Sequence, residues 1–177
     1  PDLAVFSKGL GNGYPISAII GKDIYMNAAE KTFLSSTNWT ERVGPTAALA
    51  MIDKHKSENV SDKLHILGKK VQKGWKKIAS ETGLNISVSG IYPMSSFSFN
   101  EKDPLKLRAY FVQEMLKENI LAGSQFYAMY SHTEKNVDRY LNVVQNIFYK
   151  LKKVIENGSI DKELIGEPAV AGFKRLN

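Results

Sequence analysis

The chain has no cysteine among its 177 residues, and that absence removes disulfides, thiol nucleophiles and thiolate metal ligands. Histidine is scarce as well. His55, His65 and His132 share no ligand-like spacing, so a metal centre is not expected. No hydrophobic run approaches the roughly 20 residues that a bilayer-crossing helix needs, and no charged-then-apolar leader pattern occurs. Together these absences predict a cytoplasmic protein with no membrane partner. Internal repeats and low-complexity tracts are also missing.

Positive charge is what the chain has in excess: 24 lysines and arginines against 18 carboxylates, a net charge of +6. Lys69, Lys70, Lys73, Lys76 and Lys77 would be the best support for a nucleic-acid partner. They fall, however, on a helical pattern whose other face carries Leu64, Leu67, Val71, Trp75 and Ile78, as on an ordinary solvated helix. No nucleic-acid partner is therefore expected. A noncatalytic basic module that binds phosphate or nucleic acid is the alternative reading.

The densest chemical signal is Phe6-Ser7-Lys8-Gly9-Leu10-Gly11-Asn12-Gly13-Tyr14-Pro15. A lysine leaves the end of an apolar strand and enters a glycine-rich turn. The strand fixes where the amine points and the glycines let backbone approach closely, which is what a lysine bonded to a cofactor requires. The Gly-x-Gly-x-Gly spacing fits neither the dinucleotide nor the P-loop template, so these glycines read as turn formers. Farther on, Trp39-Thr40-Glu41-Arg42-Val43-Gly44-Pro45 leads into an alanine-rich helix. Thr40 there can be a helix cap or a ligand for an anion. Arg42 can pair with a substrate carboxylate or with a neighbouring subunit's surface.

The run from Pro1 to Ala18, with its Pro-Asp-Leu opening, Lys-Gly turn and Gly-Tyr-Pro exit, resembles the lysine segment of class III (omega-type) pyridoxal-phosphate (PLP) aminotransferases, in particular the glutamate-1-semialdehyde aminomutase branch. The element from Trp39 to Ala50 is similar to that family's threonine loop, and Gln125-Phe126-Tyr127-Ala128 with His132-Thr133-Glu134 is similar to its Ser-x-Phe-Glu-Ala and His-Thr-Glu segments. Tyr127 stands where the family carries glutamate. The resemblance implies a PLP-dependent transaminase or aminomutase in which Lys8 is the Schiff-base lysine and proton carrier. It also implies that Thr40 binds the cofactor phosphate across a homodimer interface, and that the substrates are a small-molecule amino donor and a carbonyl acceptor. His132 starts a helix in that picture and takes no part in acid–base chemistry.

The implied fold is α/β, of fold type I: the end of a mostly parallel large domain joined to a small C-terminal α+β domain, this chain being the C-terminal half. Residues 1–56 are then the last part of the PLP-binding domain, 57–82 a connecting helix and 83–177 the small domain. Local patterns fill this in. Residues 3–7 read as a buried strand, 16–21 as a second apolar stretch and 23–30 as a short helix. Helix is predicted from Pro45 to Thr82 with a polar break at Ser57-Glu58-Asn59, and Gly83 ends it. Ile86–Ser89 and Met94–Asn100 alternate apolar residues with serine and read as an antiparallel strand pair. Helices follow over 104–119, with Leu105, Leu107, Phe111, Met115 and Leu116 inward, and over 133–156, capped by Thr133. The tail after Gly158 is mixed.

Overall fold

The computed structural model describes residues 1–168 and divides into two compact units, Pro1–Val60 and Ser61–Asn177. Residues 169–177, the end of the mixed tail, lie outside the described residues.

In the first unit, β1 (Leu3–Phe6) pairs antiparallel with β2 (Ala18–Gly21), in register from Leu3 opposite Gly21 to Phe6 opposite Ala18. The Lys-Gly turn is the connection between them. The register closes at its open end through Lys22 N–H to the Asp2 carbonyl, reinforced by an ion pair of 2.7 Å between Lys22 and Asp2. A short helix α1 (Asp23–Met26) and a separate 3-10 turn (Ala29–Lys31) occupy the stretch predicted as one helix. Helix α2 (Val43–Ser57) completes the unit. The strand predicted to be buried is not: Leu3, Val5 and Phe6 are 49%, 70% and 48% exposed. Among the described residues β1 has only β2 beside it, and a two-stranded ribbon cannot cover both of its own faces.

The second unit is built on α3 (Val60–Thr82), α4 (Pro104–Lys117) and α5 (Glu134–Glu156), packed with a three-stranded antiparallel sheet of β3 (Ile86–Ser89), β4 (Met94–Phe99) and β5 (Gln125–Tyr127) in the order β3-β4-β5. The polar break predicted between two helices falls at residues 58–59, where Asn59 turns left-handed at φ +48°. The Ser/apolar alternation places Phe97 and Phe99 in the core. Phe97 meets Trp75, Phe111 and Phe148 edge-on at centroid separations of 5.0, 5.3 and 5.8 Å. Trp75 is fully buried and satisfies its indole N–H on the Tyr140 hydroxyl at 2.9 Å. Leu107, Phe111 and Met115 point inward from α4 as predicted, but Leu105 and Leu116 are 37% and 50% exposed. They instead flank the groove crossed by Leu164 and Ile165, after the short helix α6 (Ile160–Glu163).

Helix α5 starts at a reciprocal capping box: Asn136 N–H donates to Thr133 Oγ1, and Thr133 N–H donates to Asn136 Oδ1. The third strand, β5, has no counterpart in the sequence reading. It is only three residues long, and it pairs with β4 from Met94 opposite Tyr127 to Ser96 opposite Gln125. Among the described residues no helix is long and apolar enough to cross a membrane.

Candidate functional site

The Lys8 turn is formed by local geometry that few sequences allow. Lys8 opens a 3-10 turn (Lys8–Leu10) with φ +47°, a left-handed conformation that costs a side-chain-bearing residue about 1 kcal/mol or more. Three backbone bonds hold it: Leu10 N–H to the Ser7 carbonyl, Asn12 N–H to Lys8 and Tyr14 N–H to Gly11, each 3.1 Å. Gly13 continues the turn at φ +112°. Gly11 is buried, and a Cβ there would lie 2.1 Å from the Tyr14 carbonyl oxygen and 2.7 Å from Ile16 Cγ2. Only glycine fits. Left-handed strain in this turn thus falls on the lysine itself and on Asn12, also at φ +47°, and Lys8 is exposed.

The start of α2 is pressed onto this turn. Gly44 is buried, and a Cβ on it would come within 3.2 Å of both Ile16 Cβ and the Pro15 carbonyl oxygen. Ile16 therefore sits between Gly11 and Gly44, joining the lysine loop to the helix that follows Thr40. Two clefts use the same wall. One, of about 520 Å³, is lined by Lys8, Asn12 and Tyr14 together with Ser7, Pro15 and Ile16. The other, of about 730 Å³, is lined by Ser7, Pro15 and Ile16 together with Trp39 and Glu41. Thr40 lies between two residues of that second lining and is exposed.

Of the two readings open for Thr40, capping of α2 is not what the structure shows. Glu41 caps the helix, accepting from Val43 N–H at 2.6 Å and from Gly44 N–H at 2.9 Å. Sequence reasoning missed this carboxylate. Its only signal is a glutamate shortly before a Val-Gly-Pro helix start that carries no Ser, Thr, Asp or Asn in the adjacent cap position.

In the second unit His132 stacks on Phe126 at 5.4 Å, its Nδ1 accepts from Met129 N–H, and burial pushes its pKa below the usual histidine value. It is held in the loop ahead of α5, in line with a helix-start role. Tyr127 is half exposed on edge strand β5. The lysine-rich face of α3 is partly engaged already: Lys70 bonds Asp138 at 2.7 Å, Lys77 lies 3.7 Å from Glu81, and Lys63 sits 4.1 Å over the Tyr130 ring.

Known proteins resemble the chain in sequence and in fold. No family model matches the chain. Curated relatives do: the 3-aminobutyryl-CoA aminotransferase of Cloacimonas acidaminovorans is 27% identical over 161 residues, covering 88% of this chain and 39% of the relative. The 2'-deamino-2'-hydroxyneamine transaminase of Streptomyces kanamyceticus is 30% identical over 80% of this chain and 36% of its own length. The glutamate-1-semialdehyde 2,1-aminomutase of Clostridium kluyveri is 31% identical over 81% and 39%. Among solved structures, the FumI protein of Sphingopyxis sp. MTA144, in its PLP internal aldimine form, superposes with a TM-score of 0.79 at 23% identity, over 88% of this chain and 38% of that one. A transaminase with PLP bound matches with the same TM-score at 15% identity.

The fold is accordingly that of part of a fold-type I PLP-dependent transferase. The chain's homologues are class III aminotransferases and glutamate-1-semialdehyde aminomutases, and it spans between 36% and 40% of their length.

Proposed function

We propose that this chain is the C-terminal part of a PLP-dependent enzyme that transfers amino groups, a transaminase or aminomutase, with Lys8 as the residue that carries the cofactor. The observation that supports it most is the conjunction at the Lys8 turn. The residue in the predicted cofactor position bears left-handed strain, as Asn12 does in the same turn, beside a Gly11 that admits no Cβ and against a wall shared with the Trp39–Glu41 loop. These residues fit the group: a primary amine on a rigid support, and a threonine hydroxyl not taken up by helix capping.

PLP, when bound, supplies the aldehyde carbon and the electron-accepting ring. Lys8 Nζ is then the anchor, and when a substrate amine takes its place the freed amine moves the proton at the substrate Cα. Thr40 Oγ1 donates to the cofactor phosphate, acting across the interface of a homodimer, and the enzyme works in the cytoplasm. The substrates are a small-molecule amino donor and a carbonyl acceptor, in keeping with the amino-group chemistry named for the relatives. The first compact unit belongs to the cofactor-binding domain (residues 1–56 in the sequence reading), and the second, with α3, to the connecting helix and small domain (57–82 and 83–177). The basic-module alternative gains little from the α3 lysines, several of which already have carboxylate or ring partners.

The test is Lys8→Ala in the full-length protein. Turnover in amino transfer is expected to fall by several orders of magnitude, because anchoring and proton transfer both lose their amine, while phosphate contacts retain part of the cofactor. Turnover within a few-fold of wild type would contradict the assignment.

A further inference from the structure

Helix α2 begins next to Thr40 with every first-turn donor already used. The first amides of an α-helix have no partner inside the helix and are taken by caps, water or anions. Here Val43 and Gly44 N–H each donate to one oxygen of the Glu41 carboxylate. Pro45 has no N–H, and Thr46 N–H donates to the Arg42 carbonyl at 3.0 Å. No amide of that turn is left for a second anion.

The clamp reaches further than the helix. Gly44, one of its two donors, is the buried residue that touches Pro15 and Ile16, and a Cβ there would also lie 3.5 Å from Glu41 Oε2. Glu41 N–H in turn donates to the Asn38 carbonyl at 3.3 Å. Glu41 thus links the segment before Thr40, through its own N–H, to the helix start that its carboxylate holds and that packs on Pro15 and Ile16 of the Lys8 loop. Thr40 itself lies ahead of the helix and is exposed.

We propose that Glu41 is a positioning residue for Thr40, an inference that rests on the reading of Thr40 as the phosphate ligand. The carboxylate takes the helix amides for itself, so the phosphate is met here by the Thr40 hydroxyl and not by the helix N-terminus. A negative charge kept near a phosphate is unfavourable by itself; the positive end of the α2 dipole offsets it at the position Glu41 occupies. The opposite role, a resident anion that blocks the cofactor, makes the opposite prediction for the same variants.

PLP dissociation constants decide between them, measured on the full-length protein for wild type, Glu41→Ala, Glu41→Gln, Thr40→Ala and the Glu41→Ala/Thr40→Ala double variant. Losing a helix cap corresponds to about 2- to 30-fold, and Glu41→Ala is expected to weaken PLP binding within that range. Glu41→Gln keeps one acceptor oxygen, so its loss is smaller, and it supplies the reading if the alanine variant does not fold. The double variant is expected to bind no more weakly than Thr40→Ala alone, since Glu41 acts through Thr40. Unchanged or tighter binding by Glu41→Ala, or losses that multiply in the double variant, overturn the proposal while leaving Thr40 as the ligand. Unchanged affinity in Thr40→Ala itself overturns the reading of Thr40 and this proposal with it.

Discussion

At the scale of single residues, charged side chains inside this protein are held by specific partners, and Glu114 shows the consequence most clearly. Its side chain is 5% exposed and bonds Lys117 and Lys150, the latter at 2.9 Å, with Gln113 alongside. Burial alone would raise the carboxyl pKa, but the lysine hydrogen bonds outweigh it and the pKa lies below the ordinary value. A carboxyl depressed in the folded state stabilises the protein above its unfolded pKa of about 4.3, and that contribution is lost as pH falls through the lower folded value. Glu114→Gln is therefore expected to lower stability at neutral pH by about 1–3 kcal/mol and to flatten the acid side of the stability–pH curve. Chemical denaturation at several pH values measures both, and an unchanged acid limb would contradict the role. Glu41 belongs at the same scale: a carboxylate whose job is visible only once the two amides it holds are seen.

Among elements, the decisive contacts are places where backbone meets helix. Gly68 lies in the middle of α3, and a Cβ there would fall 1.8 Å from the Tyr92 carbonyl oxygen in the turn between β3 and β4. Gln72, one turn on, donates to the Gly90 carbonyl at 3.0 Å and to Ser95 Oγ at 2.9 Å, so helix and hairpin tip are joined by polar bonds as well. Gly68→Ala should displace the turn and destabilise the protein by about 1–3 kcal/mol or more, although alanine is the better helix former. Thermal melting tests it, and a raised melting temperature would show that the contact is not as close as described. The elements themselves were largely legible in sequence because period and punctuation agreed: alternation gave β3 and β4, the Thr133 cap gave the start of α5, and the polar break separated α2 from α3. Strand β5 was not, since three residues are too few for a period. Nor were the exposed positions of Leu105 and Leu116, which sit beside a cleft also lined by Leu164 and Ile165 and not in the core that α4's pattern implies. At the site, Lys8 and Thr40 stood out through motif, whereas the left-handed φ of Lys8 and the Glu41 clamp depend on three-dimensional closure that no local pattern encodes.

On the scale of the whole molecule, the two units differ in how much of themselves they bury. The second has a continuous aromatic and aliphatic core from Leu67 to Val154, while the first leaves Leu3, Val5, Phe6, Ile19 and Ile20 substantially exposed. Apolar surface on that scale around Lys8 suits a surface that meets a partner, and the proposed dimer makes a testable claim about part of it. If Thr40 acts in trans, a mixed dimer of Lys8→Ala and Thr40→Ala chains gathers both lesions in one site and leaves the other intact, so activity returns; if it acts in cis, both sites are spoiled and none does. Thr40→Ala by itself should cost about 1–3 kcal/mol of cofactor affinity, the range for a lost hydrogen bond to a charged group. The claim on which all of this depends is that the amine of Lys8 carries the cofactor. Borohydride reduction of the PLP-loaded full-length protein, followed by peptide mass spectrometry, tests it most directly: a pyridoxyl adduct on the peptide containing Lys8 is expected, and an adduct on any other lysine, or on none, would contradict it.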